Sequence, residues 1–374
     1  MESYPVGDIL GKAQASIQAQ DDYYQMLSFH IVNMPALALE GYLYDWHDLE
    51  YVNLEQPWWT SSYVENLSFN NNLYITSGDF SLTALGTTWC VYFNKNIAEE
   101  YSLPNLYDLV NRGDWTIDTM LSLCENVYTD TNGDGMMDEY DVIPILADCH
   151  GSALNYFWAF GERIFTKQPD GTLLNTYYSE KLVSIMEKLY SMYYESGYIY
   201  FKTAEYDRPD IFLRGDSLFH NQTINVSLSV MRDTEFDYGF LPYPKWNKEQ
   251  TEYITISDGS QEGLAVPASI QDPVFTGIIS EALNAESWKT TTPAFYDTAL
   301  KYKGARDQES IKMLDMIVNS RTVDFGYIYA GGDGYGFWIE HLLMDGKKDI
   351  ASHYATKHKV ADAAYQKVFD SFEQ

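Results

Sequence analysis

Tyr24-Gln-Met-Leu-Ser-Phe-His30 is a short, mostly apolar run that reads as a strand. The amphipathic stretch 6–20 before it reads as a helix, and Ala36-Leu-Ala-Leu-Glu-Gly41 behind it as a helical turn stopped by glycine. This strand, helix, strand alternation predicts an α/β domain built on a parallel sheet. Further along, Leu73-Tyr-Ile-Thr-Ser-Gly-Asp79 and residues 87–95 are β-rich, while residues 96–202 turn helical, with apolar residues at helical spacing over 182–194. Leu213-Arg-Gly-Asp-Ser-Leu-Phe-His220 reads as a helix end, a glycine break and a strand over 217–220. Tyr238-Gly-Phe-Leu-Pro-Tyr-Pro-Lys245 is a strand stopped by two prolines, as expected where the chain leaves one body for another. Gly263-Leu-Ala-Val-Pro267 is a further strand, 276–288 and 309–319 are helices, and the tail from Trp338 is mostly helical.

A length of 374 residues suits two domains of ordinary size, and 45% hydrophobic residues are ample for their cores. The net charge of −30 excludes a general nucleic-acid binder and argues against adhesion to anionic lipid. Tyrosine and tryptophan, at 32 and 9, exceed what a core of this size needs and suit a pocket that stacks on flat ligand faces. Cys90, Cys124 and Cys149 form no CxxC pair and read as small buried hydrophobes. No apolar run approaches the roughly 20 residues of a membrane span, and nothing ahead of Pro5-Val6 reads as an export signal.

Asp130-Thr-Asn-Gly-Asp-Gly-Met-Met-Asp-Glu-Tyr-Asp141 places oxygen side chains at positions 1, 3, 5, 9 and 12 with glycine at 6, the spacing of an EF-hand-type calcium loop. Asp130, Asn132, Asp134, the Met136 carbonyl, Asp138 and Asp141 are the expected calcium ligands. Aspartate at position 12 has a shorter stem than the usual glutamate, so an affinity of about 0.1–1 mM is expected. With one loop and no partner loop, a structural clamp is expected rather than a sensor, seated where a helix over 115–128 runs into the ligands.

Gln56-Pro-Trp-Trp59, Tyr92-Phe-Asn-Lys95, Gly113-Asp-Trp-Thr116, the acidic loop, Gly239-Phe-Leu-Pro-Tyr-Pro-Lys245, Gly263-Leu-Ala-Val-Pro267, Thr292-Pro-Ala-Phe-Tyr296 and Lys303-Gly-Ala-Arg-Asp307 occur in an order that covers nearly the whole chain. In these the chain resembles family 1 extracellular solute-binding proteins, the carbohydrate-type lipoprotein receptors of bacterial ABC importers. The resemblance implies a two-lobed, type II periplasmic-binding-protein-like α/β fold with a ligand cleft and a hinge between the lobes. Lobe one would hold residues 1–91 plus 243–320, and lobe two 92–242 plus 321–374 with the calcium loop. Crossings would lie near 89–94, 240–243 and 319–324. It further implies an extracellular, cell-surface monomer that delivers a sugar or oligosaccharide to a membrane permease, with the membrane reached only through a lipid anchor. Relatives begin with a strand–helix–strand unit, whereas this chain starts at what reads as the second helix. Residues 24–30 are therefore expected to form an exposed sheet edge.

Carried over position by position, the cleft should receive His30 and Asn33 after the first strand, Asp79 at a strand end, and Thr87 and Trp89 at the first crossing. His150 and Asn155 flank a glycine loop, Asn221 and Gln222 follow the strand 217–220, and Trp338 would supply a stacking ring. Amides offer donor and acceptor together, which suits sugar hydroxyls. Trp58 and Trp59 read as a packed surface loop. A secreted glycan-active enzyme is the rival reading. It needs two carboxylates about 5–9 Å apart, with Glu162 and Glu262 the conceivable pair, yet no motif ties them together. A calcium-dependent adhesin would call for repeats, and none occur.

Overall fold

The computed structural model describes residues 2–202, 209–232, 234–332 and 334–373. Among them the strands are β1 (Leu27–His30), β2 (Leu43–Tyr44), β3 (Trp89–Asn94), β4 (Ile143–Leu146), β5 (Phe165–Lys167), β6 (Leu173–Asn175), β7 (Ile199–Tyr200), β8 (Ser217–Thr223), β9 (Tyr238–Leu241), β10 (Thr255–Ile256), β11 (Glu262–Pro267) and β12 (Arg321–Thr322).

The larger sheet has the order β7-β4-β8-β3-β9. Every residue of β3 is buried, which is why its sequence Trp-Cys-Val-Tyr-Phe-Asn does not alternate: both faces of the strand are covered. The strand runs antiparallel to both neighbours, with Tyr92 opposite His220 on β8 and Phe240 on β9. The smaller sheet, β1-β11-β2, corrects the expected parallel pairing of consecutive strands. β1 and β2 run the same way but are separated by β11, antiparallel to each, with Phe29 opposite Gly263. That central strand arrives from late in the chain, so local alternation could not announce it.

Polar caps set the helix starts. Asp307 accepts from the Ser310 amide at 2.9 Å, and the helix Gln308–Asn319 then buries Met313, Leu314 and Ile317 on one face. Burying each of these is worth roughly 2 kcal/mol. This helix packs against β9 of the larger sheet. Asp272 caps Pro273–Lys289 through the Phe275 amide, with proline at the first helical position. That helix turns Thr276, Gly277, Ser280 and Asn284 inward and leaves Val274, Phe275, Ile278, Ile279 and Leu283 exposed.

β1 is an edge strand, as expected. It lies along a groove of about 880 Å³, walled on one side by Val6, Ile9 and Ala13 of the helix Val6–Ala19 and on the other by Phe275, Ile279 and Leu283. The loop 53–59 is locked down by one carboxylate: Glu281 accepts from Trp59 Nε1 at 2.8 Å, Trp58 Nε1 at 3.1 Å and the Asn53 amide at 3.2 Å. All three cysteines are free and buried.

Three local readings need correction. Residues 73–79 form no strand and make only isolated bridges, Thr76 to Leu264 and Gly78 to Trp59. The helix expected over 115–128 spans Ile117–Leu123, because Asn126 takes a left-handed conformation (φ 67°) that ends it. The strand expected to stop at His220 continues to Thr223, so Asn221 and Gln222 lie inside it.

Candidate functional site

The Ala84 carbonyl, at the end of a short helical turn before β3, gathers three segments. It accepts from Ser257 Oγ at 2.5 Å, Thr88 Oγ1 at 3.3 Å and Arg321 Nη1 at 3.3 Å. Residues 87–89 lead from the smaller sheet into the larger one, 255–258 lead back, and β12 pairs in parallel with β10. Asp258 donates its amide to Thr87 O at 2.9 Å, and Thr255 Oγ1 donates to Trp89 O at 2.9 Å. The two bodies are thus joined through one knot of short polar side chains.

Beside the knot, the helix Gly151–Ala159 points its N-terminus at Trp89 and Asp258. A Cβ on Gly151 would stand 2.5 Å from the Trp89 ring and 3.0 Å from Asp258 Oδ2, so only glycine allows this approach. His150 Nδ1 lies 2.9 Å from Glu340 Oε1, and this pair is largely shielded from water. The Tyr327 hydroxyl and Val32 crowd Gly259 in the adjoining turn. Burial drives the Tyr327 phenol well above its ordinary range, so it stays protonated as a donor. The locus gathers an indole, two carboxylates and an imidazole, groups of the kind that recognise a polyhydroxylated ring, with Trp89 and His150 buried.

Asp148 caps the same helix, accepting from the amides of His150 at 2.9 Å and Ser152 at 3.0 Å. Burial outweighs these donors and pushes its carboxyl up to about 7. Asp79 lines a void of about 20 Å³ with Thr60, Ser81, Thr292 and Arg321, and burial pushes it to about 6 against the pull of Arg321.

Of the residues expected in the cleft, Thr87, Trp89 and His150 meet here. His30 ends β1 and lines the groove, and Asn33 is exposed in the turn after it. Asn155 is fully buried and accepts from the Ile256 amide at 3.2 Å. Asn221, read as free to face a solute, instead donates to Tyr156 Oη at 2.8 Å from mid-strand, opposite Val91. Gln222 folds back to accept from the Thr223 amide. Trp338 is packed among Tyr177, Tyr335, His353 and Tyr354. Asp258, Glu340 and Tyr327 were not foreseen; the Ser257-Asp-Gly-Ser260 turn directly ahead of β11 was the available sign.

In the acidic loop, Asp130 accepts from the amides of Gly133 and Gly135, and Asp134 from Met136. Asn132 Nδ2 donates to Asp138 Oδ2. Asp141 is fully buried and accepts from the amides of Thr131 and Asp138 and from Tyr128 Oη. Gly135, with φ +78°, makes the turn. Among the described residues no three His, Cys, Asp or Glu side chains are gathered closely enough to hold a metal as they stand. The donor set is nonetheless all oxygen, which fits a hard cation such as calcium.

The fold is that of the two-lobed α/β binding proteins. UgpB from Mycobacterium tuberculosis, solved with glycerophosphocholine, matches with a TM-score of 0.60 at 15% identity, over 99% of this chain and 89% of that one. MalE from Xanthomonas citri, a sugar-binding protein, matches at 0.63 and 13%, over 100% and 91%. The GacH receptor of Streptomyces glaucescens, solved unliganded and with acarbose, matches at 0.61 and 11%, over 99% and 88%. No family model and no curated protein matches the chain.

Proposed function

We propose that the chain is the solute receptor of an ABC importer, taking a carbohydrate, specifically an oligosaccharide, into the cleft between its lobes. The observation that carries this is the meeting of Trp89, the His150–Glu340 pair and Asp258 at the point where the two bodies join, in a fold shared with sugar receptors. Asp258 and Glu340 accept from sugar hydroxyls, and Trp89, His150 and Thr87 border the same ring. His30 and Asn33 extend the site along the end of β1.

A solute bridging the two bodies, which are joined through 87–89 and 255–258, favours the closed form by its differential affinity for it. The closed monomer then presents its load to a permease at the cell surface, held there by a lipid anchor. No reaction is assigned: Glu162 is paired with Lys181 at 3.0 Å, while Glu262 sits beside Ser81 at the groove. In the acidic loop, Asp130, Asn132, Asp134, Asp138, Asp141 and the Met136 carbonyl would hold calcium, which would supply charge neutralisation and rigidity.

A thermal-shift screen against mono- and oligosaccharides tests the reading. A solute at 100 times its Kd stabilises the folded state by about 2.7 kcal/mol and raises the midpoint accordingly. A rise with one saccharide class and no release of reducing sugar is expected. Turnover of the sugar, or no response to any saccharide, overturns it.

A further inference from the structure

We propose that Asp79 and Arg321 form a solvent-bridged latch that fastens β12 to the root of the crossing segments and sets how firmly the hinge is held. The two side chains line one void of about 20 Å³ but do not touch. Arg321 Nε is buried there with no protein partner at hydrogen-bond distance, and the Thr292 hydroxyl stands beside the Asp79 carboxylate. A void of that size holds one water, and these two groups with Asp79 supply the polar partners such a water needs. The water accepts from Arg321 Nε–H and donates to the Asp79 carboxylate, relaying their attraction across the gap.

Arg321 also donates through Nη1 to Ala84 O, the carbonyl that Ser257 and Thr88 share. Loosening the guanidinium therefore loosens the knot that joins the two bodies. The other neighbours of the pair carry little competing charge. The Trp58 carbonyl takes the Asp79 amide, and Asn284 on the helix Pro273–Lys289 takes that of Phe80. Arg321 faces the phenol of Tyr63 and, further off, Tyr296, whose partner Asp315 is paired with Lys301 beside Asp297. Burial lifts the Asp79 carboxyl to about 6 against the pull of Arg321. With the guanidinium swung away and the carboxyl still buried, that pull is lost and the carboxyl titrates higher, so the latched form binds fewer protons than the loosened one and tightens as pH rises through that window.

Amide hydrogen exchange at Asp258, bonded to Thr87 O, and at Ile224, bonded to Thr88 O, reads the knot directly. In the ligand-free full chain, protection corrected for the intrinsic rate should be about tenfold higher at pH 8 than at pH 5. Asp79→Asn should hold the lower value at both pH values, and so should Arg321→Gln. Arg321→Lys, which keeps the charge, should recover part of the pH step. Protection that is flat with pH in the parent chain, or a step that survives in Asp79→Asn, overturns the latch. No solute is used, so the outcome is independent of the receptor reading.

Discussion

Gly151→Ala tests the cleft most directly. The new methyl would lie 2.5 Å from the Trp89 ring and 3.0 Å from Asp258 Oδ2, against an ordinary carbon contact of about 3.5–4.0 Å. Neither neighbour can give way freely: Trp89 is the buried first residue of β3, and the Asp258 carboxylate is held by the Ser260 amide at 2.9 Å and its hydroxyl at 2.6 Å. Overpacking of this kind costs about 1–3 kcal/mol, a loss of roughly 5- to 150-fold in affinity if it falls on the closed, solute-holding form. Alanine in place of glycine near a helix start offsets up to about 1 kcal/mol in the folded chain through backbone propensity. The expected pattern is therefore an unchanged or lowered melting midpoint together with a much weakened sugar titration by calorimetry. Affinity within twofold of the parent would show that this helix N-terminus does not border the bound solute.

Three further outcomes are expected. The folded Asp148 carboxyl keeps its proton to about pH 7, while the unfolded group loses it near 4, so the folded state binds more protons between those values and stability falls as pH rises through that window. The loss is at most about 4 kcal/mol, and urea melts of Asp148→Asn at pH 5 and pH 8 should show a shallower pH dependence than the parent. Glu281→Ala strands three N–H donors, two of them indoles, and should cost about 1–3 kcal/mol with a red shift in tryptophan emission; an unshifted melt would mean that water replaces the carboxylate. Chelation should lower the melting midpoint of the parent chain but not that of Asp130→Ala, and equal shifts in both would count against calcium in the acidic loop.

Buried strands and capped helices were legible because they obey local rules. β3 and β11 read as strands from unbroken apolar runs, and the helix Gln308–Asn319 from its spacing behind Asp307. The partnership of β1 with β11 was not legible, since the two are joined only by the folded chain. Asn221 and Gln222 misled because polar residues ordinarily end a strand, whereas here Tyr156 supplies Asn221 with a buried partner that lets β8 continue. Asp258 and Glu340 were hidden for a related reason: each is a common surface residue until the fold sets Trp89 or His150 beside it.

The edge strand β1 has a consequence for how copies of the protein meet. A free edge invites another sheet to add on, and soluble proteins ordinarily blunt it with charge or proline. Here the edge runs along a groove whose walls are two helices, Val6–Ala19 and Pro273–Lys289. A second folded copy carries the same two walls, which hinder its own β1 from reaching this edge. Only a lone extended chain is narrow enough to enter, which makes the groove a hazard during refolding from denaturant rather than during storage of the folded protein.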